Sequence, residues 1–259
     1  MSLLHSTIFG DSGRDLLILH GFLGMSDNWK SHAKNWMALG YRVHLIDQRN
    51  HGRSFWSSSF SYEVMAEDVV NYCETHRLEK VLLLGHSMGG KTVMQVACSY
   101  PELVQAFVVA DIAPKVYMPH HQQILKGLSE LNFDQIKDRA EADAQLAKTV
   151  SEVAIRQFLL KNLYWVTNGK LGLRINIDVL KNASEAIGAT LSDGSHATHP
   201  CLFVKGGVSD YILDADTPII KHFFPNAEQV TIPGAGHWLH AEKPILFFET
   251  VTRWLESKG

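Results

Sequence analysis

The sequence contains little cysteine, and this scarcity excludes several kinds of protein. Its 259 residues include three cysteines, Cys73, Cys98 and Cys201. Their odd number and wide spacing predict neither a disulfide framework nor a CxxC or Cys/His metal site. We therefore expect reduced thiols in a cytoplasmic protein.

Neither charge nor apolar length indicates a nucleic acid or a membrane as a partner. The chain has 24 Lys and Arg residues against 27 Asp and Glu residues, a net charge of -3, which is too balanced for a polyanion or a lipid surface. No apolar run approaches the ~18 residues of a membrane span, and the start of the sequence lacks the basic and apolar parts of a signal peptide. We expect a monomer or small homo-oligomer that binds a small molecule.

Short apolar runs alternate with segments of helical periodicity along most of the chain. The alternation predicts an α/β fold with a mostly parallel central sheet and helices on both faces. The strand candidates are residues 16–19, 43–46, 81–84, 106–109, 201–204 and 229–232. With 46% hydrophobic residues, a chain of this length is expected to bury one large core.

Residues 113–198 break this alternation and indicate several helices. Residues 133–150 are charged and rich in alanine, residues 153–163 carry apolar side chains at helical spacing, and residues 168–169 supply an Asn-Gly turn. We predict an inserted helical cap over residues 113–198. Residues 1–112 and 199–259 then form the core domain.

Ser87 is the strongest candidate for a reactive side chain. It lies at the centre of the string GHSMG, residues 85–89. Such a string alone is weak evidence, but here a predicted strand leads into it and a predicted helix follows over residues 91–99. Glycines at 85 and 89 let strand and helix approach closely, and the sharp turn exposes the serine hydroxyl. We predict that Ser87 is a nucleophile.

A serine hydroxyl at neutral pH needs a histidine as base and a carboxylate to hold that histidine. Among 14 histidines, His237 follows the last strand candidate in a GAGHW loop and precedes a predicted helix over residues 244–256. The chain order of serine, acid and histidine is one that such triads use. His240 is the alternative base.

Two aspartates compete for the role of the acid. Asp111 lies at the carboxyl end of the strand candidate before the predicted cap, and Asp210 follows the strand candidate after it. The more common position for the acid is the loop after the strand that follows such an insert, which favours Asp210. In that loop, however, Ser209 stands at the position that an acid often occupies. The chain segment that would bring Asp111 to the histidine is shorter and stiffer than the one before Asp210. We therefore prefer Asp111 and keep Asp210 as the alternative. The other aspartate is expected to be a structural hydrogen-bond acceptor near the site.

A tetrahedral intermediate needs backbone N–H donors for its oxyanion. We predict one from Met88, directly after the nucleophile, and one from Phe22 in the HGFLG loop after the first strand candidate. The polar stretch at residues 47–54 has no metal-binding spacing. We interpret it as a turn organised by hydrogen bonds of Asp47 and Arg49, and we predict no metal site.

Aromatic side chains in the predicted cap and beside the site residues are candidates for binding an acyl substrate. The alternative is that those in the cap form its own core, since apolar periodicity usually reflects packing. The predicted substrate-binding residues are Phe22, Phe158, Tyr164, Trp165, Tyr211 and Trp238.

On these motifs the sequence resembles the α/β-hydrolases, and within them the YbfF-type bacterial esterases. The likeness covers nearly the whole chain and depends on residues 20–24, 47–54, 85–91, 110–114 and 234–244. It implies a carboxylesterase for short acyl esters and acyl-CoA thioesters, with an inserted helical cap and no cofactor. It also implies that the acid follows the strand before the cap, which matches Asp111, whereas such enzymes tend to lack a carboxylate at the position of Asp210.

The leading hypothesis is therefore a serine hydrolase that forms an acyl-enzyme. The same triad serves carbon–carbon bond hydrolysis, lactone opening and perhydrolysis, which differ mainly in the pocket. A ligand receptor without catalytic activity can also keep the fold and the triad. The motifs do not separate these alternatives from the leading one.

Overall fold

The computed structural model describes residues 2–258 and contains nine strands in that range. Seven of them form the central sheet, and the sixth and seventh form a separate hairpin. The strands are β1 (Ser6–Phe9), β2 (Arg14–Leu19), β3 (Tyr41–Ile46), β4 (Val81–His86), β5 (Val104–Ala110), β6 (Leu163–Thr167), β7 (Lys170–Leu173), β8 (Cys201–Gly206) and β9 (Ala227–Ile232).

The central sheet has the order β1-β3-β2-β4-β5-β8-β9. Only β1 pairs antiparallel, with β3, while the remaining pairs are parallel. The prediction of a mostly parallel sheet is confirmed, and all six strand candidates lie within observed strands. β1 was not predicted, because it is a four-residue, partly exposed edge strand without a long apolar run.

Residues 2–258 contain eleven α-helices, which lie between the strands and after β9. They are α1 (Lys30–Ala38), α2 (Tyr62–His76), α3 (Met88–Ser99), α4 (Gln122–Ser129), α5 (Arg139–Leu146), α6 (Val153–Leu159), α7 (Ile177–Leu180), α8 (Ser184–Gly188), α9 (Thr217–Phe223), α10 (Leu239–Glu242) and α11 (Pro244–Glu256). Across residues 2–258, no helix is both long and apolar enough to cross a membrane.

Alternate residues of the strands pack into two different apolar clusters. On one face Leu17, Leu83 and Phe203 pack with side chains of α2, α3 and α9. On the other face, neighbours such as Leu16 and Leu82 pack with side chains of α1 and α11. Because successive side chains of a strand point to opposite faces, a strand covered on both sides must be apolar throughout. The runs seen in the sequence follow from this.

A third apolar cluster joins residues 113–198 to the carboxyl edge of the sheet. Side chains of α4, α5 and α6 pack there with Phe22, Leu23 and Met88, which follow β2 and β4. The segment contains five helices, α4 to α8, and also the β6–β7 hairpin, of which only the turn was predicted. Near its end, Leu191 and Ala197 pack with the core helices instead. The division into core and cap at residues 112 and 198 stays a prediction.

Candidate active site

Ser87 lies between the end of β4 and the start of α3, on a backbone that few residues other than glycine adopt. Its φ is 52° and its ψ is -117°. A Cβ at position 85 would lie 2.1 Å from the carbonyl oxygen of Gly89, and one at position 89 would lie 2.3 Å from that of Leu19. Both glycines are therefore required by the close approach of strand, helix and neighbouring strand. The Ser87 N–H donates to Ala110 at 3.0 Å, which ties the turn to β5.

His237 and Asp111 are joined by a hydrogen bond of 2.9 Å between Nδ1 and Oδ2. The carboxylate only accepts, so Nδ1 carries the proton and Nε2 is left as the basic nitrogen. The Asp111 side chain is fully buried, whereas that of His237 is 19% exposed. This is the geometry of a base that is oriented by a buried acid.

Asp111 has further donors that hold its carboxylate in place. Oδ1 accepts from the N–H of Gly206 at 2.8 Å, and Oδ2 accepts from the hydroxyl of Ser209. Together with His237, these donors compensate for the burial of a charged group. The backbone of Asp111 has a positive φ of 52°, and its N–H donates to Val204 at 2.8 Å, so the turn after β5 is anchored on β8.

The alternative acid lies outside this network. Asp210 is exposed to solvent, whereas the preceding Ser209 contacts Asp111. The sequence indicates this arrangement, because it has Ser209 at the loop position that the acid often occupies. A serine there supplies a donor to a carboxylate that arrives from the neighbouring strand. The structure thus brings Asp111, and not Asp210, to His237.

The loop that carries His237 packs directly on the nucleophile turn. The Nε2 of His86 lies 2.8 Å from the carbonyl oxygen of His237, and the two rings have centroids 4.8 Å apart. Ser87 and His237 line the same cleft, which is partly open to solvent. The structure therefore brings the predicted nucleophile, base and acid to one edge of the sheet.

The loop after β2 lies against the same turn. A Cβ at Gly21 would lie 2.6 Å from His86 Nδ1 and 3.4 Å from Ser87 Cβ. The tight turn of this loop is closed by the N–H of Gly24 donating to Gly21 at 3.0 Å, which does not use the N–H of Phe22. Met88 opens α3, where the first N–H groups of a helix have no partner within it. The two predicted oxyanion donors thus lie beside Ser87.

Two buried histidines support the loop after β2. His51 Nε2 accepts from the N–H of Leu23 at 3.2 Å, and its Nδ1 contacts the Arg49 carbonyl at 2.9 Å. His20 Nε2 accepts from the N–H of Gln48 at 3.0 Å. Burial lowers the pKa of His51 to about 3 and also lowers the pKa of His20. Both rings are therefore neutral and stabilise the loop through hydrogen bonds, and the partners of each ring fix its tautomer.

The polar stretch after β3 is a turn that is organised by its own side chains. Asp47 accepts from the N–H groups of Ser26 at 2.7 Å and Arg53 at 2.9 Å. Arg49 forms a two-pronged pair with Asp68, at 2.5 and 2.9 Å. Both contacts are structural, as the sequence indicated. Within residues 2–258 there is no group of three or more His, Cys, Asp or Glu side chains arranged to hold a metal ion.

The cleft at Ser87 is divided into two compartments. The first is bordered by His237, and the second is bordered by Met88. Phe22, Ser87 and His121 line both. Among the predicted substrate-binding residues, Phe158 and Trp238 line the first compartment and Tyr211 lines the second. The aromatic ring of Phe22 thus stands at the partition.

Two predicted substrate-binding residues are not brought to this cleft. Tyr164 lines a separate surface depression with Arg53 and Arg174, and its ring lies 4.4 Å from the Arg174 guanidinium carbon. Trp165 is 56% exposed. Both belong to the β6–β7 hairpin, which was expected to be helical. The hairpin places these two rings outside the cleft at Ser87. Residues of α4 and α6 line the cleft instead.

Several lining residues carried no signal in the sequence. Ile124 and Ile155 come from α4 and α6, His121 directly precedes α4, and Trp29 ends the 3-10 turn before α1. They belong to no motif, and their positions depend on how the helices pack. A helical periodicity reports which side chains are buried, but it does not report which of them face a cleft.

Burial keeps the other histidines near Ser87 neutral. The pKa of His121 and that of His240 are each lowered to about 3, mainly by burial, and that of His86 is lowered well below its ordinary value for the same reason. His240, the alternative base, stacks on Trp29 with ring centroids 4.2 Å apart and has no contact with Asp111. His237 is the histidine that joins a buried carboxylate to the cleft.

Comparisons with known proteins agree with this architecture. A sequence model of a family described as the alpha/beta hydrolase fold matches residues 16–137. The sn-1-specific diacylglycerol lipase ABHD11 of Danio rerio is 37% identical, over 95% of this chain and 80% of that protein. The esterase YbfF of Escherichia coli K12 is 31% identical over 93% of each chain. A solved structure described as a marine microorganism esterase has a TM-score of 0.94 and 41% identity, over 98% of this chain and 100% of its own.

The chain belongs to the α/β-hydrolase family. Within it, the chain is a carboxylic ester hydrolase of the esterase and lipase group, in agreement with the names of its relatives. The predicted fold and the resemblance to the YbfF-type esterases are confirmed.

Proposed function

We propose that the protein is a serine carboxylesterase that hydrolyses short-chain acyl esters, and acyl-CoA thioesters as a second substrate type, through an acyl-enzyme on Ser87. The observation that carries the proposal is the bond of 2.9 Å from His237 Nδ1 to the buried Asp111, on a loop that packs against the Ser87 turn. This arrangement leaves Nε2 of His237 free to act as a base toward the cleft.

Acylation begins when Ser87 Oγ attacks the substrate carbonyl carbon. The hydroxyl proton passes to His237 Nε2, and the N–H groups of Phe22 and Met88 receive the oxyanion of the tetrahedral intermediate. The bond from the carbonyl carbon to the leaving oxygen or sulfur then breaks. His237 returns the proton to that atom, and the alcohol or thiol departs.

Deacylation repeats these steps with water. His237 Nε2 takes a proton from the water, whose oxygen adds to the acyl carbon, and the same two N–H groups stabilise the second intermediate. The bond to Ser87 Oγ breaks, and His237 protonates that oxygen. Asp111 stays hydrogen-bonded to Nδ1 throughout and stabilises the imidazolium that forms twice in each cycle.

The two compartments support a division of the substrate between them. His237 must reach the leaving group to protonate it, so the compartment that His237 and Trp238 border suits the leaving group. The compartment beyond Met88 is lined by Ile112 and Leu125 and suits the acyl chain.

Covalent labelling tests the nucleophile. A fluorophosphonate probe should label the wild-type protein stoichiometrically and should not label Ser87→Ala. The matched control is Ser99→Ala, which removes an exposed hydroxyl from the far end of the same helix α3 and should label fully. Full labelling of Ser87→Ala would refute the proposal.

A substrate series tests the proposed class. Esters and CoA thioesters of two to sixteen acyl carbons should give kcat/KM values that peak at short chains. A lactone and a β-diketone belong in the same panel, because the same triad serves those reactions. Turnover of the lactone or diketone far above that of every ester would replace the proposed substrate class while keeping the triad.

A further inference from the structure

The ring of Tyr211 lies flat on the ring of His237. Their centroids are 3.6 Å apart and the planes differ by 13°, which is closer and more nearly parallel than the contacts of His237 with His86 or Trp238. We propose that Tyr211 is a positioning residue for His237, whose ring fixes the plane of the imidazole and stabilises its protonated form. This inference rests on the proposed function, because it requires His237 to be the base.

Tyr211 is itself held by two hydrogen bonds of its backbone. Its N–H donates to the Ser209 hydroxyl at 3.3 Å, and Ser209 in turn donates to Asp111. Its carbonyl accepts from the hydroxyl of Tyr117 at 2.5 Å, and that hydroxyl accepts from the N–H of Ala113 at 2.9 Å. The loop that supplies donors to the acid therefore also places the ring on the base.

The Tyr211 hydroxyl has a defined partner. It lies 2.5 Å from Nε2 of His120, whose Nδ1 lies 3.0 Å from the Met118 carbonyl. A carbonyl only accepts, so Nδ1 of His120 donates and Nε2 accepts from the tyrosine. Tyr117, Met118 and His120 belong to residues 113–198. Two side chains of that segment thus fix the ring that covers the base.

A neutral phenol ring favours a cation on its face. Burial, with the nearby charge of Asp111 as a second cause, raises the pKa of Tyr211 to about 12, so the ring is uncharged throughout the working range of an esterase. The π-face of a tyrosine attracts a cation by about 0.5–2 kcal/mol, depending on how far the pair is removed from water. Imidazolium forms when His237 takes the serine proton, so the contact is stronger in the transition state than in the resting enzyme.

The other titratable groups around His237 are identifiable from each element that packs on it. Asp111 contacts it from the end of β5 and His86 from the nucleophile turn. His121, directly before α4, lines the same compartment, as does His240 of α10, and His120 lies behind Tyr211. The carboxylate of Glu242 in α10 accepts from the N–H groups of Gly236 and Trp238, on either side of His237. The histidines at 86, 121 and 240 have a pKa that is lowered, mainly by desolvation. Of the groups in direct contact with the ring, Asp111 and Tyr211 favour imidazolium, and the carboxylate of Glu242 is common to all the variants compared below.

The effect on the pH profile has a definite sign. His237 must be neutral to act as the base, so kcat/KM falls toward acidic pH as the base is protonated. Loss of a ring that stabilises imidazolium makes that protonation less favourable, and the acidic limb moves to lower pH. The plateau at higher pH falls at the same time, because the transition state loses the same stabilisation. A purely structural role for Tyr211 would lower the plateau and leave the limb in place.

The test compares Tyr211→Leu, Tyr211→Phe and a control, Tyr100→Leu, in pH profiles of kcat/KM for a short p-nitrophenyl ester. Tyr100 follows α3 at the end remote from Ser87, about 18 Å along a 12-residue helix. Tyr211→Leu should lower the plateau about tenfold and move the acidic limb down by about 0.5–1 pH unit. Tyr211→Phe keeps the π-face and should stay within about threefold of wild type with its limb unmoved, as should Tyr100→Leu.

Two results would overturn the inference. They are a Tyr211→Leu profile that matches wild type, and a lowered plateau with an unmoved limb. Thermal unfolding of each variant shows whether it folds. If Tyr211→Leu has a folding defect, Tyr211→Phe provides the test. A shift of the acidic limb in Tyr211→Phe would also contradict the role of the ring. Failure of the proposed function is distinguishable, because Ser87→Ala would then keep its esterase activity whatever Tyr211 does.

Discussion

The loops at the carboxyl edge of the sheet and residues 113–198 meet at the same cleft, but they are built by different forces. The loops carry Ser87, Asp111 and His237, and they are held by hydrogen bonds and by glycines that admit no side chain. The segment contributes apolar walls such as Phe158, whose positions depend mainly on packing. Chemistry thus depends on contacts that a short motif specifies, while the shape of the pocket depends on the packing of whole helices.

The largest effect should come from the acid in the loops. Asp111→Asn leaves the shape of the site but removes the carboxylate that orients and stabilises His237, so kcat/KM should fall about 10³- to 10⁴-fold for every ester. Asp210→Asn makes the same change at an exposed position and should stay within about twofold of wild type. Steady-state kinetics on both variants check this. The opposite ranking would move the acid to Asp210.

A smaller and substrate-dependent effect should come from the segment. Phe158→Ala opens the first compartment, so kcat/KM for an aromatic leaving group should fall about tenfold, as expected for the loss of about 1.4 kcal/mol of apolar contact. The value for a methyl ester of the same acid should change little. Competition between the two esters measures this directly.

The matched control for this change is Phe133→Ala. Phe133 packs in the same apolar cluster but does not line the cleft, so its loss should reduce stability without altering the ratio of the two esters. An equal fall for both esters in Phe158→Ala would mean that the first compartment does not receive the leaving group.

The smallest effect concerns Lys91, which joins the two regions. Its side chain is 3% exposed, and its ammonium donates to the carbonyls of Lys115 at 2.8 Å, Gly188 at 3.2 Å and Ala189. These carbonyls lie where the chain enters residues 113–198 and where it returns from α8. Burial, with the charge of Lys115 as a second cause, lowers the pKa of Lys91 to about 7.

The lowered pKa of Lys91 predicts how stability changes with pH. Between pH 7 and about 10 the unfolded chain binds more protons at this residue than the folded one, because an unperturbed lysine has a pKa of about 10.4. The free energy of unfolding of wild type should therefore rise relative to that of Lys91→Met as the pH increases, by at least about 1 kcal/mol from pH 7 to 9.5. Urea unfolding of both proteins at the two pH values measures the difference. Parallel pH dependence would show that Lys91 is not desolvated.

The same contrast explains what could be predicted from the sequence. Strands buried on both faces are apolar throughout, so six of the seven central strands were predictable, and only the short edge strand β1 was missed. The site loops follow those strands directly, so Ser87, His237 and Asp111 were identified as candidates from their positions. The choice between Asp111 and Asp210 needed the structure, because both follow a strand and only three-dimensional contacts separate them.

The substrate pocket was predicted less well. Tyr164 and Trp165 were expected in the cleft because they are aromatic and lie in the segment, yet they belong to a hairpin and not to a helix. His121 and Ile124 were not expected, because α4 begins after a stretch with no motif. Tyr211 was expected to bind substrate and lines the second compartment. Its ring also lies on His237, a contact that no sequence pattern reports.

The central claim is a covalent acyl-enzyme on Ser87. Rapid mixing with a short p-nitrophenyl ester, acid quenching and peptide mass analysis should find one acyl group, attached to Ser87, during turnover. Asp111→Asn, which slows both half-reactions, should still carry any acyl group at that residue. Turnover by the wild-type protein without an acyl group, or with one on a different residue, would contradict the account.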